Sequence, residues 1–345
     1  MKISDFMKSK KSVKIGYIGG SITEQSGWRD VVTAHLRESF SDNDITEVNA
    51  GIGGTNSFLG VARIERDLIC HNPDIVFIEF SVNDGAETYD ECRFFGRTYE
   101  GMIRQLLNNN PDVLIVGVGL TTEGMNEKFY KNGIIPYTAQ HHKIVCDYYN
   151  VPFSNAGESL YNHMKKIGGK MLDFTRDNVH TNDKGAEFYG DFIWDCIKEY
   201  DFDINFKNEP LHSDNCEAVT LCTVDPVPQG WTNGVWRRDG KEEKHIYSCV
   251  PGSEFEFKFK GNVLGIYCTT EKTSGNICWS VDGGEWKERS TWDEYAMNFD
   301  RRHYYTLEEN LGAGEHTVTV KVSDKKEELS EGYYLRIIAF MTGRI

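Results

Sequence analysis

Five short runs, at residues 13–18, 45–50, 75–80, 113–120 and 151–154, punctuate the first part of the chain. The first is apolar, β-branched and closed by glycines, and all five read as strands. Between and after them lie segments of helical period. Trp28, Val32, Leu36 and Phe40 repeat on one face, and residues 99–107, 137–149 and 183–200 repeat similarly. Strands that alternate with helices run parallel, with helices covering both faces of the sheet. The run at 113–120 is the most apolar and belongs at the sheet centre. The alternation stops near residue 211. Beyond it, runs of Val, Ile, Tyr, Phe and Thr recur at 218–224, 244–249, 253–259, 263–269, 276–281, 316–322 and 333–341. Turn signals such as Asp282-Gly283-Gly284 and Gly312-Ala313-Gly314 separate them. This is the pattern of a β-sandwich. The expected organisation is an α/β domain over residues 1–207, with a five-stranded parallel sheet, and an all-β jelly-roll domain over 208–345.

Chemistry-bearing residues gather where the strands end, the edge at which open α/β sheets bind ligands. Gly19-Gly20-Ser21-Ile22-Thr23 follows the first strand, and its glycines let a substrate approach the Ser21 hydroxyl closely. Asn49-Ala50-Gly51-Ile52-Gly53-Gly54-Thr55 follows the second and leaves backbone N–H groups free to point into a cleft. The third strand carries an acidic residue, Glu79, near its end and runs into Ser81-Val82-Asn83-Asp84-Gly85, where Asn83 offers a side-chain amide. Asp177-Asn178-Val179-His180 precedes the last helix. Three apart, the carboxylate can grip one ring nitrogen and fix the tautomer. Each block alone is ordinary turn or cap chemistry. Together, on one edge of one sheet, they read as one catalytic constellation of a hydroxyl, a histidine gripped by a carboxylate, and N–H groups.

The formal charge of −15 argues against nucleic acid or an anionic membrane surface as partner. No apolar stretch approaches the ~20 residues of a membrane helix. Met1 to Lys11 lacks the apolar core of a signal peptide. Nine cysteines without a Cys-x-x-Cys pair read as reduced thiols, with Cys70, Cys146 and Cys196 in apolar segments. A cytoplasmic protein is expected. A homo-oligomer is compatible with the sequence, and nothing in it requires one.

The four blocks resemble those of the SGNH (GDSL-type) hydrolases, over about residues 12–200. The resemblance implies a flavodoxin-like catalytic domain and a serine esterase that needs neither metal nor cofactor. It makes Ser21 the nucleophile, His180 its base and Asp177 the orienting acid. The N–H of Ser21, the N–H of Gly54 and the amide of Asn83 become the oxyanion hole. Two positions depart from the usual pattern: Gly20 stands where the family carries Asp, and Ser81 where it carries Gly. Gly-x-Ser-x-Gly is not formed, since Thr23 holds the last position.

The two-domain plan resembles bacterial carbohydrate O-acetylesterases, in particular the acetyl-mannan esterases of carbohydrate esterase family 17. That resemblance implies an acetylated oligosaccharide substrate, with manno-oligosaccharides favoured. An acetyl-xylan or general short-chain esterase, a thioesterase or lysophospholipase, and an O-acetyltransferase stay open. Five of the seven tryptophans lie after residue 211, as in carbohydrate-binding modules. Trp279 and Trp286 are expected in the core. Trp231 and Trp236, in what reads as a glycine-rich loop, are candidate sugar contacts. Trp28 and Tyr89 are candidates too, Tyr89 on a long polar loop expected over residues 84–97.

Overall fold

The protein is described by a computed structural model over residues 1–85, 87–202, 209–238 and 240–345. It divides into two compact units, Met1–Glu217 and Ala218–Ile345. The boundary expected at 207/208 lies outside the described residues. Residues 211–217 belong with the first unit because the helix Tyr89–Asn109 holds them. Buried Glu100 accepts the Leu211 N–H at 2.6 Å and the His212 N–H at 2.9 Å, and Arg104 pairs with Glu217 at 2.5 Å.

The first unit runs α1 (Ile3–Lys8), β1 (Ser12–Gly19), α2 (Ser21–Glu24), α3 (Trp28–Ser39), β2 (Asp44–Gly51), α4 (Ser57–Asp67), β3 (Ile75–Glu79) and α5 (Tyr89–Asn109). It continues with β4 (Leu114–Gly119), α6 (Glu123–Lys128), α7 (Tyr137–Tyr148), β5 (Phe153–Asn155), α8 (Ala156–Ile167) and α9 (Asp183–Ile197). All five strands pair in parallel, in the order β2-β1-β3-β4-β5. Every residue of β3 and β4 is buried, as central strands require. The chain leaves β1 in one direction to form β2 and returns on the other side to form β3. That reversal opens a crevice at the carboxyl ends of β1 and β3.

The long polar loop expected over 84–97 is instead mostly helix. α5 begins at Tyr89, where Thr88 and Glu91 form a capping box: Thr88 Oγ1 accepts the Glu91 N–H at 3.3 Å, and Glu91 Oε2 accepts the Thr88 N–H at 2.9 Å. Trp28 also departs from its reading as a substrate contact. It is 0% exposed, edge-on to Tyr17 and Phe77 at 5.4 and 6.1 Å, beneath α3. A ring with no open surface meets no sugar.

The second unit has β6 (Thr220–Cys222), β7 (Thr232–Arg238), β8 (Lys241–Ser248), β9 (Glu254–Gly261) and β10 (Val263–Thr270). These are followed by β11 (Asn276–Val281), β12 (Lys287–Ser290), β13 (Arg301–Glu308), β14 (Gly314–Val322) and β15 (Leu335–Gly343). One sheet runs β13-β10-β15-β8-β7, with β6 beside β15, and the other runs β12-β11-β14-β9. Ile266, Ile277, Val318, Val320, Ile337 and Phe340 fill the core of this unit.

The stretch 230–236 is not a loop, because 232–238 form edge strand β7. Gly234 serves close approach there: a Cβ would sit 2.4 Å from Nε2 of His245 on the paired strand β8. Trp231 and Trp236 are only 6% and 7% exposed. Trp231 packs edge-on to Phe255 at 4.9 Å, and Trp236 lies under the Arg302 guanidinium at 5.2 Å. Both are packing residues, not open sugar platforms. Trp279 is buried as expected, while Trp286 is 45% exposed, with Lys321 Nζ 3.9 Å from its ring centre. All nine cysteines are free; Cys146 is buried and Cys70 is exposed. Among the described residues no helix is long and apolar enough to cross a membrane.

Candidate active site

β1 ends at Gly19, and Ser21 opens the one-turn helix α2 with Gly20 as its extended N-cap residue. Ser21 Oγ lies 2.9 Å from His180 Nε2, and His180 Nδ1 lies 2.7 Å from Asp177 Oδ2. The three residues therefore form one hydrogen-bonded chain across 159 positions of sequence. Asp177 and His180 share a single turn. Asp177 Oδ1 accepts the His180 N–H at 2.7 Å and the Val179 N–H at 3.1 Å, and Asn178 takes the left-handed conformation, φ 68°. Asp177 does not cap the following helix, a task done by Asn182, whose side chain accepts the Gly185 N–H. Partial burial acts to raise the Asp177 carboxyl, but its bonds to the His180 ring and to two backbone N–H groups outweigh this and hold it below the ordinary carboxylate value. A carboxylate fixed in that way keeps Nδ1 as the donor and leaves Nε2 to accept a proton from Ser21.

Two further pieces close on Ser21. Gly53 lies over it, since a Cβ there would come 3.4 Å from Ser21 Cβ. The Gly53 N–H is taken by Glu24 Oε2 at 2.7 Å, whereas the Gly54 N–H, at φ 69°, has no acceptor among the described residues. The Ser21 N–H likewise has none. Asn83 packs on Gly20 so tightly that a Cβ at that position would fall 1.9 Å from Asn83 Oδ1 and 2.6 Å from Cγ. Gly20, the departure from the usual Asp, is thus matched to where Asn83 sits. The sequence-expected residues Ser21, Gly54, Asn83, Asp177 and His180 meet in one place. Tyr89 does not join them: its ring neighbours are Tyr137 at 5.7 Å and His141 at 4.3 Å.

The turn that carries Asn83 is pinned from beneath. Asp84, fully buried, accepts the Ser57 N–H at 2.7 Å and faces His142 Nε2 at 2.9 Å. Thr138 Oγ1 donates to the Ser81 carbonyl at 2.8 Å. Ser81 Oγ accepts the Leu120 N–H at 2.8 Å, which explains the second departure: this hydroxyl joins the end of β3 to the residue after β4. Ser81→Ala leaves that buried N–H without a partner. It is expected to cost about 1–3 kcal/mol of stability, read as a lower urea midpoint at unchanged m-value. Arg63, buried on α4, donates to the carbonyls of Ala50 at 2.6 Å and Gly19 at 3.3 Å and so ties the ends of β1 and β2. The base turn is tied to the chain after Ser21 by Arg176, which donates to Gln25 Oε1. None of these supports has a local sequence signature, because each joins elements that the sheet brings together. Among the described residues no group of three or more His, Cys, Asp or Glu is placed to hold a metal ion.

Residues 17–188 match the GDSL-like lipase/acylhydrolase family. An arylesterase from Vibrio mimicus is 24% identical over 145 residues, 39% of this chain and 70% of its own length. Two solved structures of a two-domain esterase described as active on acetylated mannans are similar over 99% of this chain. One, co-crystallised with mannopentaose, has a TM-score of 0.77 at 22% identity over 93% of its length. The other has a TM-score of 0.78, also at 22% identity, over 94% of its length. At that identity the likeness shows the two-domain fold.

Proposed function

The N-terminal unit of this chain belongs to the GDSL-like lipase/acylhydrolase family, which makes the protein a carboxylic ester hydrolase, and from that premise we propose that it is a serine esterase removing O-acetyl groups from hemicellulose-derived oligosaccharides. The observation that carries the mechanistic part is the unbroken chain from Ser21 Oγ through the His180 ring to Asp177. His180 Nε2 takes the Ser21 proton as Oγ bonds to the acetyl carbonyl carbon. The carbonyl oxygen becomes an oxyanion, held by the N–H groups of Ser21 and Gly54 and by the Asn83 amide. The intermediate collapses, the C–O bond to the sugar breaks, and His180 returns the proton to the leaving alkoxide. Water then gives a proton to His180 and attacks the acetyl-Ser21 ester. Acetate leaves and Ser21 recovers its proton. Every atom is accounted for by the ester, one water and these side chains.

Acetylated manno-oligosaccharides are the favoured substrates in this reading. Its support is the shared two-domain plan with an esterase described as active on acetylated mannans. Acetate release from acetylated glucomannan, acetylated xylan and p-nitrophenyl esters of rising chain length tests it. Faster turnover of glucomannan-derived oligosaccharides than of xylan-derived ones is expected, with a preference for acetyl over longer acyl groups. A preference for chains of eight carbons or more would sink the carbohydrate assignment.

A further inference from the structure

Glu79 ends β3 fully buried, directly behind the proposed site. It touches both turns that matter. Thr23 Oγ1, two residues after Ser21, lies 3.2 Å from Glu79 Oε2, and Ser81 Oγ, two residues before Asn83, lies 3.3 Å from Oε1. Gly19, the last residue of β1, is wedged between the Thr23 side chain and the Glu79 carbonyl, with no room for a Cβ. The hydrogen count at Ser81 bears on the state of this carboxyl, because that hydroxyl has one proton and two acceptors in reach, Glu79 Oε1 and the Leu120 carbonyl. Ser81 Oγ accepts the Leu120 N–H at 2.8 Å and has the Leu120 carbonyl at 3.2 Å. If its single proton goes to that carbonyl, the contact with Glu79 has a donor only when Glu79 supplies one.

The geometry points to Glu79 as a positioning residue that works as a neutral acid: its O–H donates to Ser81 Oγ, its other oxygen accepts from Thr23, and it thereby locks the Ser21 turn to the Asn83 turn. Its surroundings favour that state. Burial, with Asp84 adding to it, pushes the carboxyl up to about 7, against the opposing pull of Thr23, Ser81 and the Val82 N–H. Tyr99 and Tyr189, both buried and both pushed up by burial first, also interact with its charge, and His142 stacks on Tyr99 and faces Asp84 at 2.9 Å. Arg63 stands on the far side of Gly19, its charge met by Asp67 at 3.0 Å. Ionisation would break the donor to Ser81. It would also set a negative charge behind the place where an oxyanion forms, in a region with little water to screen it. The sign for stability follows. The folded chain holds a proton that the unfolded chain releases from about 4.5 upward, so stability falls as pH rises to about 7 and is level above.

This inference rests on the reading of Ser21 as nucleophile. The test is the pH profile of p-nitrophenyl acetate hydrolysis for wild type, Glu79→Gln and Glu79→Ala, with Ser21→Ala beside them. Gln mimics the neutral acid. Glu79→Gln is expected to keep kcat within threefold of wild type at pH 6 and to lose the wild-type decline in kcat above about pH 7. Glu79→Ala is expected to lose at least tenfold in kcat with KM unchanged. Should Glu79→Gln not fold, Thr23→Val replaces it, with a tenfold lower kcat expected at unchanged KM and no change overturning the idea. An unaltered alkaline limb in Glu79→Gln, or a loss as deep as in Glu79→Ala, overturns the neutral-acid role while an inactive Ser21→Ala leaves the esterase reading standing. Full activity in Ser21→Ala would bring down both.

Discussion

Ser21→Ala is expected to lower kcat for acetyl-ester hydrolysis by about 10⁶-fold while KM stays close to that of wild type. Losses of roughly this scale follow removal of a nucleophile whose base has no alternative partner. The substitution removes one oxygen at the mouth of α2, whose contact is with His180. It leaves the backbone N–H of residue 21 in place, so a residual rate from the remaining donors is expected rather than none. The fold is unaffected, and the melting temperature checks that. Mass spectrometry of wild type quenched during turnover of p-nitrophenyl acetate should find an acetyl group on the peptide that holds Ser21, absent in the variant. Activity that survives Ser21→Ala would make the whole constellation a structural turn.

Gly20→Asp, which would restore the usual family residue, is expected to cost about 10²–10³ in kcat. The physical reason is steric before it is electrostatic. Any Cβ at residue 20 falls inside the Asn83 amide, 1.9 Å from Oδ1, so the amide must leave its place. Loss of one oxyanion donor accounts for an effect of that size, about 2.7–4 kcal/mol in the transition state. Gly20→Ala is expected to lose nearly as much. A double-mutant cycle separates displacement of Asn83 from other harm: once Asn83→Ala is in place, Gly20→Ala should cost little more. Additive losses would show that residue 20 acts through something other than Asn83.

The parts of this molecule that were legible in sequence are those governed by local pattern. β1, β3 and β4 are apolar and rich in β-branched residues, and they end where glycines and polar residues begin. The triad and oxyanion residues stand in those polar ends, so topology alone brings them together. Local pattern misled where two signals competed. Thr88-Tyr89-Asp90-Glu91 holds a capping box, yet the charged stretch around it reads as a loop. β7, β12 and β13 are the end strands of their sheets, rich in polar residues and, in β7 and β12, largely exposed, and so lack the apolar alternation that marks a strand. The tryptophans failed for another reason. Whether Trp28 or Trp231 faces solvent depends on Tyr17 and Phe77, or on Phe255, and no local spacing encodes those neighbours. Glu79 was visible as an acid at a strand end, but its burial arises only when β1, β3 and β4 assemble.

Asp177 and His180 are joined by one turn, and the bonds that set the pair against each other are internal to residues 175–181. As heritable material that turn is a cassette: exchange of seven residues between relatives moves base and orienter together, and no intermediate with one but not the other need arise. The opposite half has no such unit. Ser21 and Asn83 ride on separate strands, β1 and β3, whose pairing sets Gly19 beside Glu79. Because a slip of one residue turns every side chain to the other face, this half is inherited only as an intact sheet.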